Sequence, residues 1–190
     1  MQLDHYVNTF GIYLKEKYQQ RIKKLTINAD FTCPNRDGTL GRGGCTFCNV
    51  ESFSSSANQA TIAQQIKRGK ADHGKKSEKH LAYFQAYTST YEEVEVLRQK
   101  YQQALTEADI IGLCVGTRPD CVPDEVLTLL KEYVDQGYEV WLELGLQSAS
   151  DKTLTRINRG HKFSAYQDAV ERASALGIKV CSHLIIGLPD

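Results

Sequence analysis

The sequence has neither a net charge nor a long apolar run, and each absence narrows what the protein can be. Lys plus Arg and Asp plus Glu each number 23 in 190 residues, so the overall charge does not argue for nucleic acid as the partner. No apolar run approaches the roughly 20 residues that a membrane span needs. The N-terminus lacks the apolar core of a signal peptide and is polar at residues 15–24. We therefore expect a cytoplasmic protein with no membrane partner.

Low-complexity segments are also absent, and the composition is that of an ordinary globular protein. Apolar residues make up 41% and charged residues 24% of a chain long enough for one domain with a sizeable core. The chain has six cysteines. In a reducing compartment, cysteines favour metal or redox chemistry over disulfides.

Short apolar runs alternate with helical patterns along the chain. The runs predict strands at residues 25–29, 81–87, 110–115, 138–147 and 179–188. Helices are predicted before the first strand and between the strands, at residues 60–70, 94–108, 123–137 and 164–177. Two of them are expected to begin with capping boxes, formed by Thr90 with Glu93 and by Ser164 with Gln167. Alternating strands and helices predict a parallel sheet, either an open doubly wound sheet or one that curves toward a barrel.

The informative residues follow the predicted strands at their C-terminal ends. A cysteine-containing loop follows the first strand, Tyr87 and Thr88 follow the second, residues 117–120 follow the third, and Gln147 ends the fourth. Because the C-terminal ends of parallel strands meet at one edge, these residues are expected to gather on one rim. The sequence stops at residues 189–190, just past the fifth strand, so we expect an N-terminal portion of a longer protein.

The loop after the first strand carries the strongest chemical signal, CPNRDGTLGRGGCTFC, which supplies Cys33, Cys45 and Cys48. Three thiolates hold a metal centre and leave one coordination position open. A structural zinc site needs four closed ligands, and only one C-x-x-C pair is present. An iron–sulfur cluster is the alternative centre that thiolates hold. Residues alone leave both readings open, and with zinc the protein would be a zinc-stabilised binding module.

Several ordered motifs resemble one protein family. The segments CPNRDG, GRGGCTFCN, YFQAYT, GTRPDC, LELGLQS and INRGH are similar to those of the YhcC/YtqA-like family of the radical S-adenosylmethionine superfamily. They are more distantly similar to the radical domain of the Elongator catalytic subunit. Eleven residues separate the first two cysteines, where most superfamily members have three. The resemblance implies an α/β fold, a partial (β/α) TIM-like barrel truncated after its fifth strand, with residues 1–190 forming one radical S-adenosylmethionine core domain.

The resemblance also implies the cofactors and the reaction. A 4Fe–4S cluster would be held by Cys33, Cys45 and Cys48, and S-adenosyl-L-methionine would chelate the remaining iron. Reductive cleavage would then give a 5′-deoxyadenosyl radical, with an electron from a donor such as flavodoxin or ferredoxin. The substrate implied by the relatives is a tRNA wobble uridine. A small metabolite or a porphyrin-like ring is the alternative substrate.

The family motifs place further cofactor contacts around the cysteines. Phe47 lies between the last two cysteines within the cluster loop. Many superfamily members hold the methionine amino group with a Gly-Gly-Glu motif at the end of the second strand. This chain has Tyr87 and Thr88 there, so a backbone carbonyl or the Thr88 hydroxyl is expected to serve. Tyr87 either contacts the cofactor or simply packs at the rim.

Three more positions match cofactor contacts of the family. Gln147 and Ser148 correspond to the position that contacts the ribose, and Arg159 corresponds to an arginine that binds the cofactor carboxylate. A cation at a helix C-terminus is the other interpretation of Arg159. Strand alternation puts Glu143 on the same face as Gln147, where an inward-facing acid needs a partner.

The remaining candidates have two interpretations each. Arg118 and Asp120 either pair with each other or contact a ligand. Cys121 is either a small buried residue or a catalytic thiol at the radical site. Residues 67–80, with six basic and two acidic residues, form either a solvated helix end or a phosphate-contacting patch. Cys114 and Cys181 are expected in the core, and His183 is expected either to line the barrel or to lie in the core.

Overall fold

Five parallel strands, arranged in chain order, form the centre of the molecule. The computed structural model describes residues 6–49, 60–73 and 79–188. Residues 74–78 of the predicted basic patch and the terminal residues 189–190 lie outside the described residues. Neighbouring strands pair in the order β1-β2-β3-β4-β5. The strands are β1 Ile22–Ile27, β2 Lys79–Phe84, β3 Ile110–Thr117, β4 Glu139–Gln147 and β5 Lys179–Leu184.

This strand order distinguishes between the two sheets that the sequence left open. In a doubly wound sheet the order reverses at a switch point, whereas here every crossover adds the next strand on the same side. The order is that of a (β/α) barrel, and the prediction of a partial barrel is confirmed. Within the described residues, β1 and β5 do not pair with each other, so the sheet is not closed.

Helices cover the outer face of the sheet. Apolar side chains alternate along the strands, and those on the outer face, such as Leu113 and Leu142, pack in one buried core with the helices. No helix among the described residues is long and apolar enough to cross a membrane. The helices are α1 Phe10–Tyr18, α2 Pro34–Asp37, α3 Ile62–His73, α4 Val94–Leu105, α5 Asp124–Asp135, α6 Asp151–Arg156 and α7 Phe163–Ala175.

The first helix packs on the inner face of the sheet at the end opposite the predicted rim. Leu14 of α1 is buried with Leu81, Cys114 and the ring of Trp141. Glu139, at the start of β4, is buried beside this helix. Its carboxylate accepts four hydrogen bonds, one from Lys179 and three from residues that lie nearby. These neighbours are Lys17 at 2.5 Å, Tyr18 at 2.7 Å and Trp141 at 2.8 Å. Helix α1 thus closes the bottom of the partial barrel.

Both predicted capping boxes are wrong. Helix α4 begins after Glu93 without a side-chain cap, because the Thr90 hydroxyl instead bonds the Thr117 hydroxyl at 2.6 Å. Helix α7 begins one residue earlier than predicted, after Lys162, and Ser164 lies inside it. The first N–H group of α7 has another acceptor, since Asp151 Oδ1 accepts from the Phe163 N–H at 2.7 Å. Tertiary contacts therefore replaced the local hydrogen bonds that both patterns suggested.

Strand ends also differ from the predicted limits. β2 stops at Phe84, three residues early, because the chain turns out of the sheet through positive φ angles at Ala86 (105°) and Tyr87 (61°). β5 ends at Leu184, four residues before the predicted limit. The predicted end of α5 is confirmed at Gly137, whose φ of 90° suits glycine after a helix C-terminus.

Candidate active site

The cysteine loop begins as a single helical turn and ends as a tight turn. Cys33 precedes α2, and its carbonyl accepts from the Arg36 N–H at 2.8 Å and the Asp37 N–H at 3.1 Å. At the other end, the Cys48 N–H donates to the Cys45 carbonyl at 3.0 Å. These turns hold the three cysteines in one short loop after β1.

A buried asparagine ties this loop to the segment after α6. The Asn35 amide donates to the Asn158 carbonyl at 2.5 Å and lies 3.6 Å from the Cys45 sulfur. In return the Asn158 amide donates to the Gly44 carbonyl at 2.8 Å. The loop and the INRGH segment therefore form one unit, although more than 100 residues separate them in sequence.

Arg159 joins the cysteine loop to β4. Its Nη1 donates to the Cys45 sulfur at 3.5 Å, and its Nη2 donates to the Gly145 carbonyl at 2.6 Å. The side chain is 6% exposed, and its Nε has no hydrogen-bond partner among the described residues. A Cβ added at Gly145 would lie 2.8 Å from Arg159 Nη2 and 2.7 Å from Gln147 Nε2. A side chain at position 145 would therefore have to displace Arg159 or Gln147.

The rim opposite the loop has unusual backbone. Ala86, Tyr87 and Gln147 take positive φ angles that residues other than glycine rarely adopt. Such strain of about 1–3 kcal/mol per residue persists where surrounding contacts enforce it, and it clusters at functional sites. Thr88 is fully buried, and its hydroxyl has no partner within the described structure. Arg36 lies over the Tyr87 ring, 5.8 Å from its centroid.

Nine of the eleven predicted site residues line one cavity, which we call the cysteine cleft. The cleft is open to solvent and lies between the cysteine loop and the C-terminal ends of β2, β3 and β4. The predicted residues that line it are Cys33, Cys45, Phe47, Cys48, Tyr87, Thr88, Glu143, Gln147 and Arg159. Arg36, Gln85, Thr117, Arg118 and His183 also line it.

Two predicted residues do not line the cysteine cleft. The Ser148 hydroxyl accepts from the Ser150 N–H at 3.1 Å, just before α6. Cys121 lies in a short turn, Pro119–Cys121, and lines a separate groove beside the N-terminus of α5. Burial raises the pKa of the Cys121 thiol to about 12, so the thiol stays protonated at neutral pH. The structure therefore does not bring Cys121 to the cleft.

Both interpretations of Arg118 find support. Its Nε and Nη2 donate to the two carboxylate oxygens of Asp120 at 3.0 and 2.7 Å, so the predicted pair is confirmed. The same side chain is 2% exposed and lines the cysteine cleft, and Nη1 has no partner in the part of the chain that the structure describes. Asp120 thus orients a guanidinium group beside the cleft.

Two residues of the loop were missed by sequence reasoning. Asn35 supports Cys45, and Arg36 Nη2 donates to the Cys48 carbonyl at 3.0 Å. Both belong to the CPNRDG segment, whose cysteine alone was assigned a role. The sequence offered only an amide and a basic residue, two and three positions after a candidate ligand, and neither indicates its partner.

Deeper in the cleft, Glu143 is a buried acid with the partners that its position requires. Its carboxylate accepts from Lys24 of β1 and lies 2.9 Å from His183 Nε2 of β5. Burial raises the pKa of Glu143, but the hydrogen bonds from His183 and Lys24 outweigh burial and leave the pKa below its usual value. Contact with Cys181 and Glu143 raises the pKa of His183 to about 9.

The donor set of the loop fits an iron–sulfur cluster better than a single zinc ion. Four ligands around one zinc at about 2.3 Å require sulfurs roughly 3.8 Å apart. Among the described residues, the sulfurs of Cys33, Cys45 and Cys48 do not all lie within 4.8 Å of one another. The guanidinium groups of Arg36 and Arg159 lie beside these thiols and suit the negative charge of a thiolate-bound cluster.

Sequence comparison gives one family and several relatives. The model of the Radical SAM superfamily matches residues 35–190. Protein YhcC of Escherichia coli K12 is 62% identical over 190 residues, which cover the whole chain and 61% of that protein. Uncharacterized protein YtqA of Bacillus subtilis is 41% identical over 186 residues, covering 96% of the chain and 58% of that protein. The chain thus spans about three fifths of the length of these curated relatives.

More distant similarities extend to a tRNA enzyme and to solved structures. A tRNA uridine(34) acetyltransferase of Dehalococcoides mccartyi is 35% identical over 80 residues, 42% of the chain and 16% of that protein. The structure of Methanocaldococcus infernus Elp3 superposes with a TM-score of 0.58 at 19% identity, covering 88% of the chain and 38% of that protein. The cobalamin-dependent S-adenosylmethionine radical enzyme OxsB superposes with a TM-score of 0.53 at 19% identity, covering 85% and 23%. Both solved structures share the fold.

Proposed function

Because this chain belongs to the radical S-adenosylmethionine superfamily, we propose that the cysteine cleft holds both of the cofactors that the family implies. Cys33, Cys45 and Cys48 hold a 4Fe–4S cluster, and S-adenosylmethionine binds beside it. The chain is a radical S-adenosylmethionine enzyme, and residues 1–190 form an N-terminal part of its core domain. When bound, the two cofactors together supply a 5′-deoxyadenosyl radical.

One observation carries this proposal. Three thiols from a single loop open onto the same cleft as three guanidinium groups, those of Arg36, Arg118 and Arg159, that each keep a buried nitrogen without a partner among the described residues. A buried N–H without an acceptor costs about 1–3 kcal/mol, so such groups favour an anionic ligand. The carboxylate of S-adenosylmethionine is a ligand of this type, and guanidinium groups bind carboxylates in a fixed geometry.

The other cleft residues are assigned by their places around the rim. Thr88, with a buried hydroxyl and no partner among the described residues, donates to the methionine end of the cofactor. Gln147, at the end of β4, contacts the ribose, whereas a ribose contact from Ser148, which does not line the cleft, stays a prediction. Phe47 and Tyr87 flank the cluster and exclude water from it. A role for Glu143 in holding the cofactor stays a prediction, since Lys24 and His183 already bind its carboxylate.

The protein therefore contributes orientation and protection. Asn35 and Arg159 approach the Cys45 sulfur and would stabilise a thiolate there by hydrogen bonding. Asp120 holds Arg118 in place through two hydrogen bonds. An electron donor such as flavodoxin or ferredoxin is proposed to reduce the cluster.

We further propose tRNA, at a wobble uridine, as the substrate. The distant similarity to a tRNA uridine(34) acetyltransferase supports this assignment. A small metabolite or a porphyrin-like ring remains the second candidate. One measurement distinguishes the two candidate substrates. Added tRNA should be consumed as S-adenosylmethionine is cleaved, whereas added small metabolites should not be consumed. Uncoupled cleavage that is identical with and without tRNA would reject the tRNA assignment.

The cluster assignment is tested by changing one ligand. Cys45→Ala is expected to lose the iron and the visible absorbance that anaerobic reconstitution gives the unchanged chain. Cys114→Ala is the matched control, because Cys114 is a buried thiol of β3 that does not line the cleft. Iron retention by Cys45→Ala, or uptake of zinc instead of iron by the unchanged chain, would contradict the proposal and favour a zinc-stabilised binding module.

A further inference from the structure

A second group of metal-ligating side chains lies on the inner face of the sheet, on strands β4 and β5 rather than on the cysteine loop. Glu143 of β4 and Cys181 of β5 are direct neighbours in register, and His183 is two residues further along β5. Residues two apart on a strand share a face, so all three side chains point the same way. Their oxygen, sulfur and nitrogen atoms lie within 4.8 Å of one another.

This group differs from an ordinary surface cluster of acids. Glu143 is 2% exposed, and Cys181 and His183 are half-buried. Carboxylate, thiolate and imidazole are the ligand types that zinc takes from proteins. Two adjacent, paired strands hold them, so little conformational freedom would be lost when an ion binds.

The surroundings complete the requirements of such a site. Lys24 donates to Glu143 Oε1, which leaves Oε2, the oxygen nearest to His183, for an ion. Outer hydrogen bonds of this kind orient metal-binding carboxylates. His183 and Glu143 also line the cysteine cleft, so a fourth ligand would come from the cleft side.

We propose that Glu143, Cys181 and His183 bind a single divalent ion of the zinc type, independently of the iron–sulfur cluster. Three protein ligands with a fourth position open to a cleft are typical of catalytic rather than structural zinc sites. The open position takes an oxygen or nitrogen donor of the substrate and orients it in the cleft. Binding displaces the proton shared by His183 and Glu143 and the thiol proton of Cys181, both of which go to solvent.

Cysteine thiolates are zinc ligands in general, so the test must first remove those of the loop. In a Cys33→Ala, Cys45→Ala, Cys48→Ala variant, equilibrium dialysis is expected to find one zinc per chain. Co²⁺ in its place should give a thiolate-to-cobalt charge-transfer band. Adding Cys181→Ala should remove the band, and adding Cys181→Ala or His183→Gln should weaken zinc binding by about 100-fold or more, beyond the loss typical of outer contacts. Adding Cys121→Ala, which removes a buried thiol that lines a separate groove, should change neither result.

A second measurement covers the case in which the triple variant does not fold. In the cluster-loaded chain the loop cysteines are occupied, and zinc-edge X-ray absorption should show one sulfur and two nitrogen or oxygen ligands from the protein. Absence of bound zinc in both preparations, or zinc binding that survives Cys181→Ala and His183→Gln together, would overturn the proposal. Iron content and S-adenosylmethionine cleavage, measured on the same samples, report on the cluster separately, so the two proposals fail independently.

Discussion

Arg159 Nη1 donates a hydrogen bond to the Cys45 sulfur at a distance of 3.5 Å, so a residue of the INRGH segment contacts a proposed cluster ligand. The other terminal nitrogen of the same guanidinium group donates to the Gly145 carbonyl at 2.6 Å. One side chain therefore spans the cleft from the cysteine loop to β4. Its remaining nitrogen, Nε, is buried without a partner in the described structure.

Replacing this guanidinium by an amine tests its role. A lysine at position 159 keeps the charge but cannot reach two partners in the fixed fork of arginine. We expect Arg159→Lys to retain the cluster and to bind S-adenosylmethionine about 10- to 100-fold more weakly, measured by equilibrium dialysis of the reconstituted protein. Arg156→Lys, at an exposed position of α6, should bind normally. Equal affinities of Arg159→Lys and the unchanged chain for S-adenosylmethionine would show that the Arg159 guanidinium group does not bind this cofactor.

The arrangement of the strands and the rim was predictable because it follows from short-range pattern. Alternating apolar runs and helices determined a parallel sheet, and residues at the C-terminal ends of its strands meet at one edge. Gln147 and the three loop cysteines therefore reach the same cleft as the sequence suggested. Asp120, two residues after Arg118, was within reach of a local pair and forms it.

Contacts between distant residues were not predictable in the same way. The capping pattern at Thr90 failed because Thr117, 27 residues away, takes its hydroxyl. Cys181, assigned to the core as a strand residue, is half-buried beside Glu143, since register between β4 and β5 decides its neighbours. Asn35 was overlooked because its partner Asn158 lies 123 residues away. A single sequence without its register carries none of this information.

A methyl group at Gly145 is expected to displace Arg159 without unfolding the protein. The added Cβ would lie under 3 Å from Arg159 Nη2 and Gln147 Nε2, and both are ends of side chains that can move. Gly145→Ala should therefore weaken S-adenosylmethionine binding at least tenfold, about 1.4 kcal/mol. Gly11→Ala is the control, since a Cβ there meets only one atom, at 4.0 Å.

Circular dichroism and calorimetry of binding distinguish the outcomes for Gly145→Ala. The melting temperature is expected to stay within a few degrees of the unchanged chain, because the clash involves side chains rather than backbone. Normal cofactor affinity in a folded Gly145→Ala variant would show that the position of Arg159 does not matter for binding.

Asn35 is expected to tune the reduction potential of the cluster. Its amide lies 3.6 Å from the Cys45 sulfur, and hydrogen bonds to cluster sulfurs help set the potential. Asn35→Ala removes a donor that stabilises the more negative reduced state, so the midpoint potential should become more negative. A redox titration followed by electron paramagnetic resonance measures this shift.

Asn158→Gly is the matched control for Asn35. Glycine tolerates the φ of 54° at this position, and the variant loses only the amide bond to the Gly44 carbonyl. The contact between Asn35 and Cys45 is left in place, so the potential should stay near that of the unchanged chain. Equal shifts in both variants would assign the effect to loop geometry rather than to the hydrogen bond at sulfur.

Glu139 is expected to make stability depend on pH at the closed end of the barrel. Burial raises its pKa, but hydrogen bonds from Lys17, Lys179, Tyr18 and Trp141 lower it from 4.5 to about 2. Because the pKa is lower in the folded state, the stabilisation is complete above about pH 4.5 and is lost as pH falls toward 2.

Urea unfolding between pH 3 and 7 measures this contribution. Glu139→Gln should be less stable than the unchanged chain by roughly 1–3 kcal/mol at pH 7, a range reduced because Lys17 is partly exposed. The difference should shrink below pH 4.5. Glu171→Gln, at an exposed position of α7, should show no such trend. A difference that stays constant with pH would mean that the charge of Glu139 is not what stabilises α1.

We propose that Cys33, Cys45 and Cys48 form the site of reductive S-adenosylmethionine cleavage. The most direct measurement is the yield of 5′-deoxyadenosine from anaerobically reconstituted protein with S-adenosylmethionine and dithionite. The unchanged chain and Cys114→Ala are expected to produce it, and each single alanine variant at the three loop cysteines is expected to produce none above background. Production of 5′-deoxyadenosine by any of those three variants, or none from the unchanged chain when its cluster is loaded, would show that these cysteines are not the site of cleavage.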